Sequence, residues 1–266
     1  ANTNYKDLVD QAKKFNVKNI IITDPDSFEK TKIIFKNKKI NIFQNFESLK
    51  KILPKKIDYV MSAISGIGGL LPTYEIINRT KLIAIANKEA IVCGWPLIKK
   101  ELIKNKTLFI PIDSEHFSIW KLIKSEKQNE ISSVYLTASG GPFLNRSLKT
   151  LFNVEPKLAL KHPNWKMGKK ITIDSATMMN KIFEIIEASK IFDFNINKFE
   201  ILIHPKSYVH AIVHFKNGLT KLLTHNTTME IPITNAIYCN NYDYYNKHNF
   251  NFSKLNGINF IKPSEE

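Results

Sequence analysis

The chain has 266 residues, 43% of them hydrophobic and 24% charged, with a formal net charge of +15. That composition excludes wholesale disorder and leaves room for one or two domains with real cores. No apolar run reaches the ~18 residues a membrane helix needs, and the polar start ANTNYKDLVDQ lacks a secretory pattern.

Strand-like and helix-like segments alternate through the first half. KNIIITD (18–24) reads as a buried strand and DSFEKTKIIFKN as an amphipathic helix. KINIF is a short strand, ESLKKIL a helix, and IDYVMSA (57–63) a strand that runs into the glycine turn SGIGG. LLPTYEIINRT is helical and KLIAIA (81–86) is a strand. NKEAIVCGWPLIKKELIKN is a helix with Asn87 as its N-cap, and TLFIPID (107–113) is another strand. This alternation predicts a parallel sheet covered by helices on both faces.

The rhythm changes after Asp113. SEHFSIWKLIK is helical, and VYLTASGGPF runs from a strand into a glycine-rich turn. Residues 148–170 are loop and short helix, and 175–192 form one strong helix. KFEILIHP, SYVHAIVHF and GLTKLLTH then follow as closely spaced strands. That spacing predicts an antiparallel meander and an α+β second domain. The Asn/Lys-rich stretch 240–266 reads as a linker or an edge, and there is no internal repeat.

Of the 39 basic residues, 37 are lysine, and Asn occurs 27 times. Such usage follows from an AT-rich genome. The charge therefore argues little for nucleic-acid binding, which favours arginine and a patterned basic face. It is compatible with an anionic small substrate. The two cysteines, Cys93 and Cys239, are too few for a disulfide framework or a CxxC zinc site. Both read as buried small apolar residues in a reducing cytoplasm.

Five constellations could carry chemistry. Asp113-Ser114-Glu115-His116 lies at the C-terminal end of a strand, where parallel sheets bind ligands. Its two carboxylates can turn toward one point and suit Mg²⁺ or Mn²⁺; alternatively they complement a helix dipole. Ser139-Gly140-Gly141-Pro142 can bring backbone and hydroxyl to a phosphate, or can be a plain turn. In the block 162–181, HPNWKMGKKITIDSATMMNK, Asn180, Lys181 and the following Glu184 share one helical face. That face could bind a phosphate and a metal, or carry only a solvated Lys–Glu pair. Trp165 and Met167 sit in a Pro/Gly-bounded loop that reads as a lid, with core packing as the plainer alternative. Lys88, in Asn87-Lys88-Glu89, stands at a helix start, which is unfavourable for a cation unless an anion is near. Residues 65–69 form a glycine turn short of the full dinucleotide fingerprint. His210 reads as a structural histidine.

Taken in order, SGIGGLLPT, IANKEA, IDSEHFSIW, TASGGPF, HPNWKMGKKITIDSATMMNK-IFE and HPKSYVHA closely resemble the 1-deoxy-D-xylulose 5-phosphate reductoisomerase family, over about residues 57–237. The resemblance implies a Rossmann-like parallel-sheet domain over 1–113 and an α+β catalytic domain with a small antiparallel meander over 114–240. A linker at 241–266 would lead to a further helical domain. The family's GxTGSIG-type cofactor turn would precede this chain, which begins with Ala.

The resemblance also implies NADPH and a divalent metal (Mg²⁺ or Mn²⁺, with Co²⁺ as a further candidate). Asp113, Glu115 and Glu184 would ligate the metal. Ser139, Ser175, Asn180 and Lys181 would bind the substrate phosphate, with Ser114, His162, Trp165 and His204 as further substrate contacts. Lys88, Glu115 and His162 would act at the reacting carbons. Asn87, Lys88, Glu89, Met167 and Gly168 would face the cofactor. A small phosphorylated sugar is the implied substrate, and a homodimer the implied assembly. No nucleic acid or membrane is expected as a partner. The implied location is a bacterial cytoplasm, or a plastid in a eukaryote. The competing readings are a metal-independent Rossmann-type dehydrogenase acting on another phosphorylated substrate, and a basic nucleic-acid-binding module with salt-steep affinity.

Overall fold

The computed structural model describes residues 1–165, 167–238 and 250–263. α1 (Tyr5–Lys14) is capped by Asn4, whose side chain accepts from the Asp7 N–H. β1 (Asn19–Ile21) pairs in parallel with β2 (Asn41–Phe43), and α2 (Pro25–Ile34) crosses between them. Asp24 and Pro25 start α2, one residue ahead of the expected DSFEK: the Asp24 carboxylate accepts from Ser27 N at 2.9 Å, and Pro25 gives up no needed donor.

A short α3 (Leu49–Ile52) leads to a three-stranded parallel sheet, ordered β3 (Ile57–Ser62), β4 (Thr80–Ile85), β5 (Leu108–Pro111). α4 (Leu70–Ile76) and α5 (Lys88–Asn105) make the crossovers. Ile83, Ile85, Ile91, Ile98 and Trp95 form the core between this sheet and α5. Burying each such side chain contributes roughly 1.5–3 kcal/mol. Asn87 caps α5 through Ala90 N, and its amide also donates to the carbonyls of Ile64 and Gly66. One side chain thereby starts the helix and holds the glycine turn. Gly69 is required there, because an added Cβ would lie 2.3 Å from Ile64 O.

The second half begins with α6 (Ser114–Ile123) and β6 (Ile131–Ala138). Then follow α7 (Pro156–Ala159), α8 (Lys169–Ala176), α9 (Met179–Phe192), β7 (Phe199–Ile203), β8 (Val209–Phe215), β9 (Thr220–Thr224) and α10 (Glu230–Tyr238). The sheet order is β7-β6-β8-β9. Ile119, Val134, Leu136, Phe192, Val213 and Phe215 build its core, and Ile191 of α9 packs against this core and the first one alike.

Three expectations need correction. The stretch 175–192 is not one helix. Met178 takes a left-handed conformation (φ 59°) between α8 and α9, so residues 175 and 176 end one helix and residue 179 opens the next. The three late strands are not one meander. β8 and β9 form an antiparallel hairpin, but β7 joins the far side of β6 in parallel, after the α9 crossover. Cys93 is exposed, because α5 buries Ala90, Ile91, Gly94 and Trp95 and turns position 93 outward. Cys239 lies outside the described residues. Residues 250–263 reach the four-stranded sheet, where Ile261 bridges Ile203 of β7. Among the described residues, no helix is long and apolar enough to cross a membrane.

Candidate active site

β5 ends at Pro111, and the chain turns at once into α6, with Asp113 as N-cap. This turn aims Asp113, Ser114 and Glu115 toward α9. Asn180, Lys181 and Glu184 answer from the first turns of α9, and Lys88 from the first turn of α5. One oxygen from each of Asp113, Glu115 and Glu184 falls within 4.8 Å of the others.

Two ammonium groups lace these acids together. Lys88 Nζ donates to Asn180 Oδ1 at 2.7 Å and to Glu184 Oε1 at 3.0 Å, and lies 3.3 Å from Asp113 Oδ2. Lys181 Nζ donates to Glu115 Oε1 at 2.6 Å and also pairs with Glu184. Glu184 is 2% exposed and Lys181 5%. Burial alone would lower the pKa of both lysines. The Glu184 and Asp113 charges beside Lys88, and the Glu115 and Glu184 charges beside Lys181, outweigh it and raise both. Burial would raise the Asp113 carboxyl, and Lys88 and His116 hold it below its ordinary range. His116 shows the same contest: burial lowers it, but Glu187 and Asp113 carry it up to about 10.

The acids open into a cavity of about 270 Å³. Its wall includes Ser114, Ser139, His162, Trp165, Met167, Ser175, Asn180 and Lys181, so the structure brings these sequence-predicted residues together. Ser139 accepts from Gly141 N at 3.1 Å and lies 3.0 Å from His162 Nε2. His162 Nδ1 accepts from Asn164 N at 3.2 Å and Trp165 N at 2.9 Å, which leaves the proton on Nε2. Burial lowers the His162 pKa and favours this neutral tautomer. Gly141 (φ 67°) lets the 139–142 turn approach α8, where an added Cβ would be 3.2 Å from Ser175 O.

Other expected residues stand farther off. Lys88 reaches the cavity's acids from behind its wall. Asn87 is spent on the helix cap and the glycine turn. Glu89 lies 3.7 Å from Lys170 of α8, and Gly168 is the exposed N-cap of that helix.

His204 stands apart from the other expected residues. Its Nδ1 lies 3.1 Å from Asn259 O, its ring packs on Phe260, and it does not line the cavity. His210, expected to be structural, does line it, with its ring edge-on to Trp165 at 6.1 Å and stacked on His225 at 3.6 Å. Burial and His225 push its pKa down to about 3. Two further residues belong beside the acids: His116, named in the acidic turn but given no role by the sequence, and Glu187, which the sequence reading does not single out. Their spacing was the available signal, three residues beyond Asp113 and three beyond Glu184, on the same helical faces.

Residues 1–94 match the family model described as 1-deoxy-D-xylulose 5-phosphate reductoisomerase, and residues 109–192 match the model of its C-terminal domain. A 1-deoxy-D-xylulose 5-phosphate reductoisomerase from Pelagibacter ubique (strain HTCC1062) is 60% identical over 263 residues, covering 98% of this chain and 68% of the relative. The chain belongs to the 1-deoxy-D-xylulose 5-phosphate reductoisomerase family. A reductoisomerase of this name from Clostridium kluyveri is 40% identical over 96% of the chain and 69% of the relative.

Solved reductoisomerase structures agree. That from Zymomonas mobilis in complex with NADPH superposes with a TM-score of 0.89 at 34% identity, over 99% of this chain and 68% of that one. A reductoisomerase in complex with NADPH, fosmidomycin and magnesium gives 0.86 at 31% identity, over 99% and 67%. The Rossmann-like parallel sheet followed by an α/β catalytic region is therefore the family's fold.

The residues present fit a divalent cation. Three carboxylates supply hard oxygen donors at one point, and the cavity beside them leaves room for substrate and water oxygens. They also fit the nicotinamide end of a cofactor, because Ala86 at the end of β4 and Met167 border the same cavity as the acids.

Proposed function

We propose that this cavity converts 1-deoxy-D-xylulose 5-phosphate to 2-C-methyl-D-erythritol 4-phosphate, in the isoprenoid biosynthesis to which its family belongs. The observation that carries the reading is the convergence of Asp113, Glu115 and Glu184 on a cavity also lined by Ser139, Ser175, Asn180 and Lys181.

Asp113, Glu115 and Glu184 would hold Mg²⁺ or Mn²⁺. Met167, Asn87, Glu89, Gly168 and Lys88 would border NADPH. When bound, the cation supplies Lewis acidity to the substrate's oxygens and NADPH supplies the hydride.

The chain's own residues do the rest. Ser139, Ser175, Asn180 and Lys181 bind the phosphate, and that remote contact fixes the orientation of the reacting carbons. Lys88 and Ser114 orient the oxygens nearest the acids. Lys88, Glu115 and His162 are the groups we place at the reacting atoms. His162, neutral with Nε2–H toward Ser139, joins the phosphate turn to the loop that carries Trp165. Trp165 leans on His210 and covers the cavity, which excludes water from the reactive intermediate.

In this reading residues 1–113 serve the cofactor, 114–240 hold the cation and the phosphate, and 241–266 lead onward. Its working form is a homodimer in a bacterial cytoplasm. Support for the pairing comes from the outer strand β9 and the residue before it, with Leu222 47% and Leu219 60% exposed.

The test is substrate-dependent NADPH oxidation by the intact protein with Mg²⁺ or Mn²⁺. Asp113→Asn and Glu184→Gln should each lose turnover by about a thousandfold or more while keeping the native circular dichroism. Metal-independent turnover, or full activity in either variant, would instead favour a dehydrogenase of another kind.

A further inference from the structure

Behind the three carboxylates lie two buried ionisable side chains that the proposed reaction does not engage, His116 (0% exposed) and Glu187 (2%). His116 Nδ1 sits 3.3 Å from Asp113 Oδ1 and 3.8 Å from Glu187 Oε2. Its other nitrogen, Nε2, lies 2.9 Å from the backbone carbonyl of Glu184. A carbonyl only accepts, so Nε2 carries a proton. One imidazole thus connects the cap of α6 with the stretch of α9 that carries Glu184.

The two oxygens of Asp113 face different ways. Oδ2 lies on the Lys88 side, 3.3 Å from Nζ, while Oδ1 faces His116. Asp113, Glu115 and Glu184 line the cavity, whereas His116 and Glu187 do not. His116 Nδ1 and Glu187 Oε2 are both enclosed, and neither makes a well-formed hydrogen bond. Glu187 Oε2 meets the His116 ring, and the same ring lies against Asp113 Oδ1, so the imidazole is the link between the two carboxyl groups.

We infer that Glu187 is a positioning residue: acting through His116, it fixes the Asp113 carboxylate and the α6–α9 separation for the divalent cation without binding the cation itself. This rests on the cation-centre reading above. Groups that orient metal-bound carboxylates act on metal affinity, so the effect is readable without turnover.

Mn²⁺ binding to the intact protein, followed by electron paramagnetic resonance with no substrate or NADPH, tests it. Glu187→Gln keeps the side-chain volume and should weaken Mn²⁺ about 10- to 100-fold. Inorganic phosphate, measured without metal, should bind that variant as it binds the unmodified protein. Asp113→Asn, measured alongside, should lose Mn²⁺. Unchanged Mn²⁺ affinity in Glu187→Gln together with loss in Asp113→Asn overturns the inference alone. Unchanged affinity in both overturns the cation centre beneath it. Parallel loss of phosphate binding would mean general loosening and would also count against positioning.

Should Glu187→Gln fail to fold, the apolar pair His116→Leu with Glu187→Met removes both buried polar groups. It should show the same loss of Mn²⁺, and retained affinity there overturns the inference. The unmodified protein gives an independent reading. One Mn²⁺ per chain without coupling to an imidazole nitrogen is expected. Two ions, or such a coupling, would make His116 and Glu187 ligands and end the positioning role.

Discussion

Lys88 Nζ lies 3.0 Å from Glu184 Oε1, joining the first turn of α5 to α9 across 96 residues of sequence. The pair is buried on the Glu184 side, whose side chain is 3% exposed. Lys88→Met would leave Glu184 and Asp113 facing each other without that ammonium. Breaking a buried pair from one side costs about 3–5 kcal/mol. A cation at the same carboxylates offsets much of that loss. Urea denaturation should therefore show Lys88→Met strongly destabilised in a chelator and markedly less so in millimolar Mg²⁺. Equal destabilisation in both conditions would argue that the carboxylates do not share a cation.

Lys181 is committed to Glu115 and Glu184 through its ammonium, while its side chain also borders the cavity. A divalent cation among those carboxylates competes for the same oxygens and frees the ammonium for an anion. Cation and phosphate binding should then be coupled, and the coupling must be reciprocal. Inorganic phosphate should bind roughly 5- to 100-fold more tightly with Mg²⁺ present, and Mg²⁺ more tightly with phosphate, by calorimetry. Lys181→Ala should weaken phosphate and reduce the coupling. A coupling that survives intact in Lys181→Ala would assign it to another group.

Much of this site is local in the sequence, and that part was legible. Asp113 and Glu115 sit where a strand gives way to a helix. Asn180, Lys181 and Glu184 recur at helical spacing, and Asn87 announces a cap. Each of these needs only a few neighbouring residues to be read. What stayed hidden depends on distant partners. Nothing near Glu187 in sequence says that His116, 71 positions earlier, will face it. The strand run of β8 does not say which of its histidines meets Trp165, because β8 is buried along almost its whole length and the usual alternation of exposure disappears. β7 looked like a third meander strand because its composition is that of any buried strand. Its place beside β6 follows from the α9 crossover, whose start at Met179 depends on a left-handed Met178 that no propensity favours.

His210 makes stability pH-dependent. Its ordinary value is 6.5, and burial, with His225 and Lys181 acting in the same direction and Glu115 opposing, lowers it to about 3 in the fold. On acidification the unfolded chain therefore binds a proton before the native one does. The stability this neutral histidine contributes is complete above pH 6.5 and falls as pH drops toward 3. The loss between pH 7 and pH 5 is on the order of 2 kcal/mol from this residue. Glu187, whose carboxyl burial pushes up to about 7, titrates in the same window with the opposite sign, so the His210 share is read as the difference between the unmodified protein and His210→Gln. Measured by urea denaturation at both pH values, the unmodified protein should lose about that much stability relative to the variant. An unchanged slope in His210→Gln would place the proton uptake elsewhere.

Gly141 lies in the 139–142 turn that faces α8 across the proposed phosphate cradle, and two independent features resist a side chain there. Its φ of 67° belongs to a region that L-residues occupy at a cost of about 1–2 kcal/mol. A Cβ would also stand 3.2 Å from Ser175 O and 3.3 Å from Ala176 Cα, both backbone atoms that cannot rotate away. Gly141→Ala should consequently push the turn from α8, moving Ser139 relative to Ser175 and disturbing the Ser139–His162 contact. The expected result is a destabilisation of about 1–3 kcal/mol. A rise in KM for the phosphorylated substrate should exceed any fall in kcat, because the displaced groups hold the phosphate and not the reacting carbons. The metal-binding constant should stay as in the unmodified protein, since the polar partners described for the three carboxylates are in α5, α6 and α9 and not in the turn. A fall in kcat at constant KM would instead place the turn next to the reacting atoms and move the phosphate elsewhere in the cavity.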